Sequence, residues 1–494
     1  MKLEIVLSTI DPQTMKQSIL AALFFNVSIL GFSQTTEQSK AIDNYIKNVI
    51  QINEIPGMAV GIVKNDKVTF QQYYGRENLE SDEKVSSKSM FRVYSTTKLI
   101  ANVGLFKLIE EGKGSPDDKI SKYIDNLPKD WQNIQVKNLL SHSSGLPDMA
   151  DVKDLPEKAT FNEVIQRLST EKNEFEAGDH YRYNQTNYML MSMIIEKITG
   201  KAFEEFILEN QFPESRNQVV FSSNSVEKIP NRVGKYNYNP ERKLYEKLTE
   251  ISGVRAHAAN GLAVTLPAFL QWSIHFSKND FLKPETKKMM WKPFDYKNND
   301  WEFGYGWEIT DNNKTKSYGF SGGNVSAYSI FPDKNMAIVI MYNANKGFPV
   351  MYQMVNHIAG IIDKNLMEPY MLAEEITIAE SLVHPNLKKE VYGYRIENDK
   401  VVFSYQYPKN SSTEFIKSVS VAGAFNNWNM NDSSYQMIPK KNNVFEVAVP
   451  ISQFEKGKSY GFKFVMNKSG WLTIPYNTAN TDGTQDNNLS LKID

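Results

Sequence analysis

Hydrophobic residues follow two different periods along most of this chain. Between residues 42 and 50 they recur at helical spacing, and Pro56 and Gly57 follow, which predicts an amphipathic helix that ends there. Apolar runs of strand length come next and again far downstream, each pair joined by a polar turn. These runs span residues 58–63, 68–73, 327–331 and 336–342, and a helical pattern covers 350–362. Strands near both ends with helical sequence between them predict an α/β (α+β) domain: an antiparallel sheet with a helical insertion and a cleft between the layers.

A second pattern begins near residue 390, where short alternating runs are separated by turns rich in Asn, Gly, Ser and Lys. The runs span residues 401–405, 418–422, 444–449 and 460–465. Short strands at this spacing indicate a small all-β sandwich of the immunoglobulin-like kind. We therefore expect a first domain over 34–366, a linker over 367–389, where the periodicity weakens, and a second domain over 390–494.

A short, almost purely apolar stretch lies near the N-terminus, between residues 18 and 30. Lys16 precedes it and small residues follow, the order of a secretory signal peptide; the stretch is too short to span a bilayer comfortably. A buried core helix, the alternative, would normally carry a polar face. We interpret residues 1–33 as a cleaved signal and expect an exported protein, periplasmic or secreted. Because acidic residues are unusual before such a core and two precede this one, translation is expected to begin at Met15.

The composition says little about the fold, but it excludes several kinds of catalytic chemistry. The chain has 494 residues, 41% of them hydrophobic and 23% charged, as in ordinary globular proteins. Because 56 Lys and Arg balance 57 Asp and Glu, the totals favour neither nucleic acid nor an acidic lipid surface as a partner. No cysteine is present, which excludes disulfides, thiolate metal sites, a cysteine nucleophile and a lipid-modified N-terminal cysteine. We therefore expect no stable membrane anchor, and covalent catalysis falls to Ser, Thr, Lys, Asp, Glu or Tyr.

The six histidines indicate no metal site. Their spacing matches neither H-E-x-x-H nor a similar ligand pattern, so neither a metal nor another cofactor is expected. His142, within the sequence His-Ser-Ser-Gly, is interpreted as a structural residue that anchors a turn.

Ser95 and Lys98, spaced as S-x-x-K, are a candidate nucleophile and base. If Ser95 opens a helix, Lys98 lies on the same face, within reach of the serine hydroxyl. The apolar stripe that follows supports this helix, and burial of Lys98 near the helix N-terminus favours the neutral amine that a base requires. Three further S-x-x-K sequences begin at Ser81, Ser169 and Ser225. These three sequences are not followed by such a helix. Spacing alone leaves an alternative for Ser95 as well, in which the serine only caps the helix N-terminus and the lysine lies on the surface.

Further motifs accompany this pair in a definite order. They read FRVYSTTK at 91–98, VKNLLSHSSGLP at 136–147, YRYNQTNY at 181–188, NGL at 260–262, YGW at 305–307 and GFSGG at 319–323. Over roughly residues 40–362 the chain thereby resembles the serine β-lactamase-related family, which includes class C β-lactamases, D-alanyl-D-alanine carboxypeptidases and esterases.

The resemblance implies that Ser95 forms an acyl-enzyme, that Lys98 assists proton transfer and that Tyr183 shuttles protons across the cleft. A lysine ammonium nearby would also favour the phenolate of Tyr183, so that the two side chains could share one proton. Substrate contacts and the oxyanion hole are implied at Gln185, Phe320, Ser321, Gly322 and Gly323. The oxyanion hole itself would use the backbone amides of Ser95 and Gly323.

Two residues depart from the family pattern. Gln185 stands where an asparagine is usual, and Phe320 stands where a lysine or histidine helps to hold a substrate carboxylate. Loss of that cation weakens the case for penicillins and peptide C-termini, and it fits a neutral ester better. An esterase is therefore the first expectation, and a D-Ala-D-Ala carboxypeptidase or β-lactamase is the alternative. The substrate would be an ester or amide, either a small molecule or linked to the cell wall or a polysaccharide.

The second domain has a resemblance of its own. Its motifs are VSVAGAFNNW at 419–428, YGFKF at 460–464, GW at 470–471 and NNL at 487–489. They are similar to the glycogen-binding type of carbohydrate-binding module, in which sugar rings stack on aromatic side chains. The resemblance implies sugar contacts at Trp428, Lys463, Trp471 and Asn487, and an α-glucan as a partner. A scaffold role is the alternative for this domain, and a non-catalytic carbohydrate-binding protein on a hydrolase fold is the alternative for the whole chain.

Overall fold

The computed structural model describes residues 36–153, 155–239, 241–298, 302–344, 351–367, 388–407, 416–468, 470–472, 474, 478–483 and 488–493. The interpreted signal (1–33), most of the interpreted linker (367–389) and Asn487 lie outside these residues, so their assignments stay predictions. Within the described ranges, no helix is both long enough and apolar enough to cross a membrane.

The centre of the first domain is a six-stranded antiparallel sheet. Its strands are β1 (Gly57–Lys64), β2 (Lys67–Gly75), β8 (Glu308–Asn312), β9 (Thr315–Gly322), β10 (Ser326–Phe331) and β11 (Met336–Tyr342), in the spatial order β2-β1-β11-β10-β9-β8. Strand β1 pairs with β11 along its length, with Met58 opposite Tyr342. The predicted sheet assembled from both ends of the domain is therefore confirmed, and the four predicted runs match its strands within two residues.

Both faces of this sheet are covered, which explains why β11 is a continuous apolar run. Val339 and Met341 face one core and Ile340 faces the other, since successive side chains alternate across a strand. The covering helices are α1 (Thr36–Asn53) and α10 (Met351–Ile362) on one face and α8 (Leu266–Ser277) on the other. The helices predicted at 42–50 and 350–362 thus share one face of the sheet.

The segment between β2 and β8 forms the predicted helical layer. Its other helices are α2 (Thr97–Glu110), α3 (Val136–Leu140), α4 (Phe161–Leu168), α5 (Thr186–Thr199), α6 (Phe203–Gln211), α7 (His257–Asn260) and α9 (Pro284–Met290). Strands β3 (Met90–Arg92), β4 (Val219–Phe221) and β7 (Leu262–Thr265) form a small sheet, and β5 (Tyr236–Asn239) and β6 (Leu244–Lys247) form a hairpin. Helix α2 is central, because every residue from 97 to 106 is buried. The predicted apolar stripe is therefore wider than one helix face.

Two antiparallel sheets form in the part of residues 388–493 that the structure describes. One contains β12 (Tyr394–Glu397), β13 (Lys400–Gln406), β15 (Ile438–Pro439) and β16 (Val444–Pro450), and the other contains β14 (Val419–Gly423), β17 (Ser459–Met466), β18 (Gly470–Trp471) and β19 (Leu489–Lys492). The two sheets share a core, in which the rings of Phe403 and Phe462 lie 5.1 Å apart. Each predicted run coincides with a strand, and the immunoglobulin-like assignment stays a prediction.

The doubly covered sheet makes a stability prediction at Ile340, which is fully buried. Ile340→Ala should lower the free energy of unfolding by about 2–5 kcal/mol, because it removes buried methyl groups and leaves a cavity. Val68→Ala, on a side chain of β2 that is 43% exposed, should change it by less than about 0.5 kcal/mol. Chemical denaturation followed by tryptophan fluorescence measures both, and equal effects would contradict the closed core around β11.

Candidate active site

Ser95 lies in a tight turn that leads into the central helix. One 3₁₀ turn spans Tyr94–Thr96 and continues directly into α2. Tyr94 has a φ of 47°, a conformation that is strained for a residue with a side chain. The Arg92 guanidinium and the Lys235 ammonium lie 4.4 and 4.1 Å from the centroid of the Tyr94 ring. These cation–π contacts help to hold the strained residue in place.

Hydrogen bonds fix the Ser95 turn to the edge of the main sheet. Thr96 Oγ1 donates to the carbonyl oxygen of Phe320 at 3.3 Å and lies 2.9 Å from Ser326 Oγ. Ser326 Oγ in turn donates to the carbonyl oxygen of Val93 at 2.7 Å. The serine is thus held between the helical layer and strands β9 and β10, where the cleft was predicted.

A pair of glycines lets the end of β9 approach this turn. A Cβ atom on Gly322 would lie 2.0 Å from the carbonyl oxygen of Val93 and 2.8 Å from the backbone nitrogen of Ser95. Gly323 has a φ of 53°, and a Cβ there would lie 2.6 Å from the Tyr94 ring. No side chain fits at either position, so the two glycines are needed for this close approach.

The amine of Lys98 is held by two acceptors from distant parts of the chain. Nζ donates to Gln185 Oε1 and to the carbonyl oxygen of Ala259, both at 2.8 Å, and lies 3.4 Å from Ser95 Oγ. Gln185, which replaces the usual asparagine, still reaches the amine. A neutral amine has two N–H groups and one lone pair. With both N–H groups donated to these acceptors, the lone pair remains for the hydroxyl of Ser95.

Burial controls the protonation of Lys98, whose side chain is fully inaccessible. Loss of hydration lowers the pKa of Lys98 well below its ordinary value, while the carboxyl groups of Asp148 and Glu308 act in the opposite direction. The environment therefore favours the neutral amine that was expected of a base.

Tyr183 supplies the second proton-bearing group next to Ser95. Its hydroxyl donates to Ser95 Oγ at 2.7 Å and also hydrogen-bonds with the Gln185 side chain. Burial raises the pKa of Tyr183 above its ordinary value, so the phenol keeps its proton. The phenolate is therefore disfavoured at rest, because a neutral Lys98 offers no ammonium to stabilise it.

Phe320 places an aromatic ring where the family usually has a cation. It is 2% exposed, and the centroid of its ring lies 6.1 Å from that of Tyr183 and 5.9 Å from Lys98 Nζ. The ring therefore helps to keep water away from the buried amine. Next to it, Ser321 continues β9 towards the glycine pair.

His142 anchors the loop that carries Tyr183, as predicted. Its Nδ1 accepts a hydrogen bond from the Asn184 backbone at 3.1 Å and lies 3.3 Å from the Asn187 amide nitrogen. The backbone N–H of Arg182 donates to the His142 carbonyl oxygen at 2.8 Å. Burial lowers the pKa of His142 well below its ordinary value, so the ring stays neutral. The interpretation of His142 as a structural residue is confirmed.

Two carboxyl groups near Lys98 were missed by the sequence analysis. Both oxygens of Asp148 lie 3.1 Å from the Gln185 backbone N–H, and burial raises the pKa of this carboxyl. Burial also raises the pKa of Glu308, to about 8, against a hydrogen bond with the Ser321 backbone and the charge of Lys98. Their only sequence signal is that each directly follows a motif, GLP or YGW. Among the residues with described positions, no group of three or more His, Asp or Glu side chains could hold a metal ion.

The structure brings together two of the four residues predicted to contact sugar. The rings of Trp428 and Trp471 are 6.1 Å apart and nearly perpendicular, and Trp428 is 37% exposed. Lys463 alternates with core residues on β17 and so points away from the shared core, yet it is buried. The sugar contact implied for Lys463 stays a prediction. Asn487 lies outside the described residues.

The profile of the Beta-lactamase family matches residues 42–356, which is well over half of the chain. The protein therefore belongs to the β-lactamase family. The predicted class, a serine hydrolase of this family, is confirmed.

Curated relatives cover the chain in part. Protein flp of Staphylococcus aureus (strain MW2) is 26% identical over 182 residues, which are 36% of either chain. A protein of Escherichia coli (strain K12), whose name assigns it to the D-alanyl-D-alanine carboxypeptidases, is 23% identical over 365 residues, 62% of this chain and 82% of that protein. Because the chain spans only about a third of Protein flp, the activity and substrates of the whole protein are proposals.

Solved structures share the fold. A penicillin-binding protein homologue from Pyrococcus abyssi, described as octameric, superposes with a TM-score of 0.60 at 18% identity, over 86% of this chain and 97% of that one. EstCE1, described as a hydrolase with promiscuous acyltransferase activity, superposes with a TM-score of 0.55 at 17% identity, over 67% of this chain and 98% of that one. The D-amino acid amidase of Ochrobactrum anthropi superposes with a TM-score of 0.56 at 18% identity, over 67% of this chain and 99% of that one.

The buried amine gives the reactivity of Ser95 a pH dependence of definite sign. Labelling of Ser95 by a fluorophosphonate should speed up as pH rises and Lys98 loses its proton, and slow down as pH falls. Because burial lowers the pKa of Lys98, this rise should lie below the ordinary lysine range. Lys98→Met removes the base and should slow labelling about 100- to 10,000-fold.

Lys172→Met is the matched control, because Lys172 belongs to the exposed S-x-x-K sequence at Ser169. It should leave the labelling rate unchanged. A wild-type rate that does not vary with pH, or a Lys98→Met rate equal to that of wild type, would contradict the assignment of Lys98 as the base.

Proposed function

We propose that this protein is an exported serine hydrolase that acts through an acyl-enzyme and prefers an ester substrate. The observation that carries the proposal is the position of Ser95 Oγ, which accepts a hydrogen bond from Tyr183 and lies 3.4 Å from the buried amine of Lys98. Export is proposed from the apolar pattern within residues 1–33.

Acylation begins with proton transfer from Ser95 to the neutral amine of Lys98 as Oγ attacks the substrate carbonyl carbon. The carbonyl oxygen gains negative charge, and the backbone N–H groups of Ser95 and Gly323 are proposed to stabilise it. The close approach of the glycine pair to the Ser95 turn supports this assignment.

Tyr183 then donates its proton to the leaving-group oxygen, and the bond between that oxygen and the carbonyl carbon breaks. The phenolate that results is unfavourable when Lys98 is neutral. In this step, however, Lys98 has just become an ammonium, and its Nζ lies 4.8 Å from the centroid of the Tyr183 ring. The charge pair therefore forms only during the reaction, when each group stabilises the other.

Deacylation reverses these transfers. A water molecule attacks the acyl carbon and gives its proton to the Tyr183 phenolate, and the Lys98 ammonium returns a proton to Ser95 Oγ as the acyl bond breaks. Both groups regain the neutral forms that burial favours.

An ester is preferred because the cleft offers no cation at Phe320 for a substrate carboxylate. The fold shared with EstCE1, described as a hydrolase, is consistent with this choice. A D-Ala-D-Ala carboxypeptidase or β-lactamase is the alternative, which the name of the Escherichia coli relative favours. Comparison of p-nitrophenyl esters, nitrocefin and D-Ala-D-Ala peptides separates them: the esters should have the highest kcat/KM, and faster turnover of either other class would overturn the preference.

Labelling with a fluorophosphonate tests the nucleophile directly. Wild-type protein should be labelled, and Ser95→Ala should abolish the labelling because the reactive hydroxyl is removed. Ser169→Ala, at another S-x-x-K sequence, should be labelled like wild type. Labelling that persists in Ser95→Ala would refute Ser95 as the nucleophile, and absence of labelling in wild type would leave a non-catalytic role for the chain.

We also propose that the C-terminal residues bind an α-glucan through Trp428 and Trp471. The proposal is supported by the two rings lying 6.1 Å apart with Trp428 accessible, since sugars stack on exposed aromatic faces. An acylated polysaccharide would then suit both parts of the chain.

Titration with a maltooligosaccharide, followed by tryptophan fluorescence, tests this binding. Trp428→Ala should weaken the affinity at least about tenfold, which corresponds to about 1.4 kcal/mol. Ile438→Ala, which alters an exposed apolar side chain on the other sheet, is the control and should bind like wild type. A wild-type fluorescence signal that sugar does not change would remove the proposal.

A further inference from the structure

The carboxyl group of Glu308 reaches the end of β9 because β8 begins late. Glu308 is the first residue of β8 and pairs with Gly319, whereas β9 continues for three more residues to Gly322. The Ser321 backbone therefore has no β8 residue opposite it, and it hydrogen-bonds with the Glu308 carboxyl group instead. This places the carboxyl group beside the GFSGG segment that closes onto Ser95.

The second oxygen of this carboxyl group has its hydrogen-bonding capacity unused. Glu308 Oε2 is buried and has no hydrogen-bond partner among the residues that the structure describes. A buried polar atom without a partner is unfavourable, and such atoms in native proteins are few and call for an explanation. A hydrogen-bond donor on a bound substrate would satisfy it.

The charges around Glu308 indicate which donor this would be. Its carboxyl group interacts electrostatically with Lys98, Tyr183 and Tyr181 and influences the pKa of each. Asp148 is a second carboxyl group close to Lys98. Two carboxyl groups thus interact electrostatically with one amine that burial keeps neutral, and Phe320 adds no positive charge beside it.

This balance favours a positively charged group in the substrate. A cation next to Glu308 would stabilise its ionised form and form a charge-assisted hydrogen bond with Oε2. A substrate carboxylate in the same place would face Glu308 and Asp148 with no cation to compensate it.

We infer that Glu308 determines substrate specificity by binding an ammonium group of the substrate. The inference rests on the proposed hydrolase function and narrows its substrate class to esters or amides that carry a protonated amine. Glu308 binds and orients the substrate in this proposal and takes no part in the bond-breaking steps.

Matched substrates test the inference. Three p-nitrophenyl esters have acyl chains of equal length that end in an ammonium, a methyl or a carboxylate group, and three thioesters carry the same ends on the thiol. Wild type should show the highest kcat/KM for the ammonium end and the lowest for the carboxylate end in at least one set. Glu308→Gln should reduce kcat/KM for the ammonium substrate relative to that for the methyl substrate by about 10- to 100-fold, the effect expected when one hydrogen bond to a charged group is lost.

The glutamine variant also separates specificity from a purely structural role. Its side-chain oxygen can still accept the hydrogen bond from Ser321, so a residue that only holds the strand end would change all substrates alike. Glu302→Gln, a change of the same kind at an exposed carboxylate that pairs with Lys316, is the control and should leave every ratio unchanged.

The outcomes distinguish the two proposals. Suppose that wild type turns over the methyl-ended substrates, but Glu308→Gln changes the ratio of kcat/KM between ammonium and methyl ends by less than about twofold in both sets. Such a change is too small for the loss of a charge-assisted hydrogen bond. The inference is then wrong, and the hydrolase function stands. A uniform loss over all three ends likewise overturns it. If no substrate is turned over and Ser95 is not labelled, the hydrolase function fails and the inference fails with it.

Discussion

The rest of the site depends on one constraint, the burial of the Lys98 amine beside Ser95. A buried amine loses its hydration, and here the Gln185 side chain and the Ala259 carbonyl oxygen replace it. These acceptors lie 87 and 161 residues from the lysine along the chain. The helical layer must therefore be complete before the lysine can act as a base.

The same burial organises the neighbouring groups. It keeps Tyr183 protonated at rest, and it makes an ammonium and phenolate pair favourable only while a proton is in transit. Phe320 contributes by excluding water, and it adds no positive charge beside Lys98. Phe320, in place of the usual lysine or histidine, thus alters both the access of water to the site and its charge.

Much of the fold and the central triad could be predicted from the sequence. The strands of the main sheet are apolar runs bounded by polar turns, and Ser95, Lys98 and Tyr183 stand in ordered motifs. Glu308 and Asp148 could not be found, because a single carboxylate has no periodicity and its role depends on the end of a strand or on a loop contact. The protonation of Tyr183 and the burial of Lys463 also depend on packing by residues distant in sequence.

The pairing of β1 with β11 has a consequence for how the chain folds. The Gly57 backbone N–H donates to the side chain of Asn343, 286 residues later, so the middle of the main sheet closes only when both ends of the domain are present. During synthesis from the N-terminus, β1 has one edge without a partner until β11 emerges. Pairing over such a distance also slows folding. The first domain therefore remains incompletely folded until Asn343 has been synthesised.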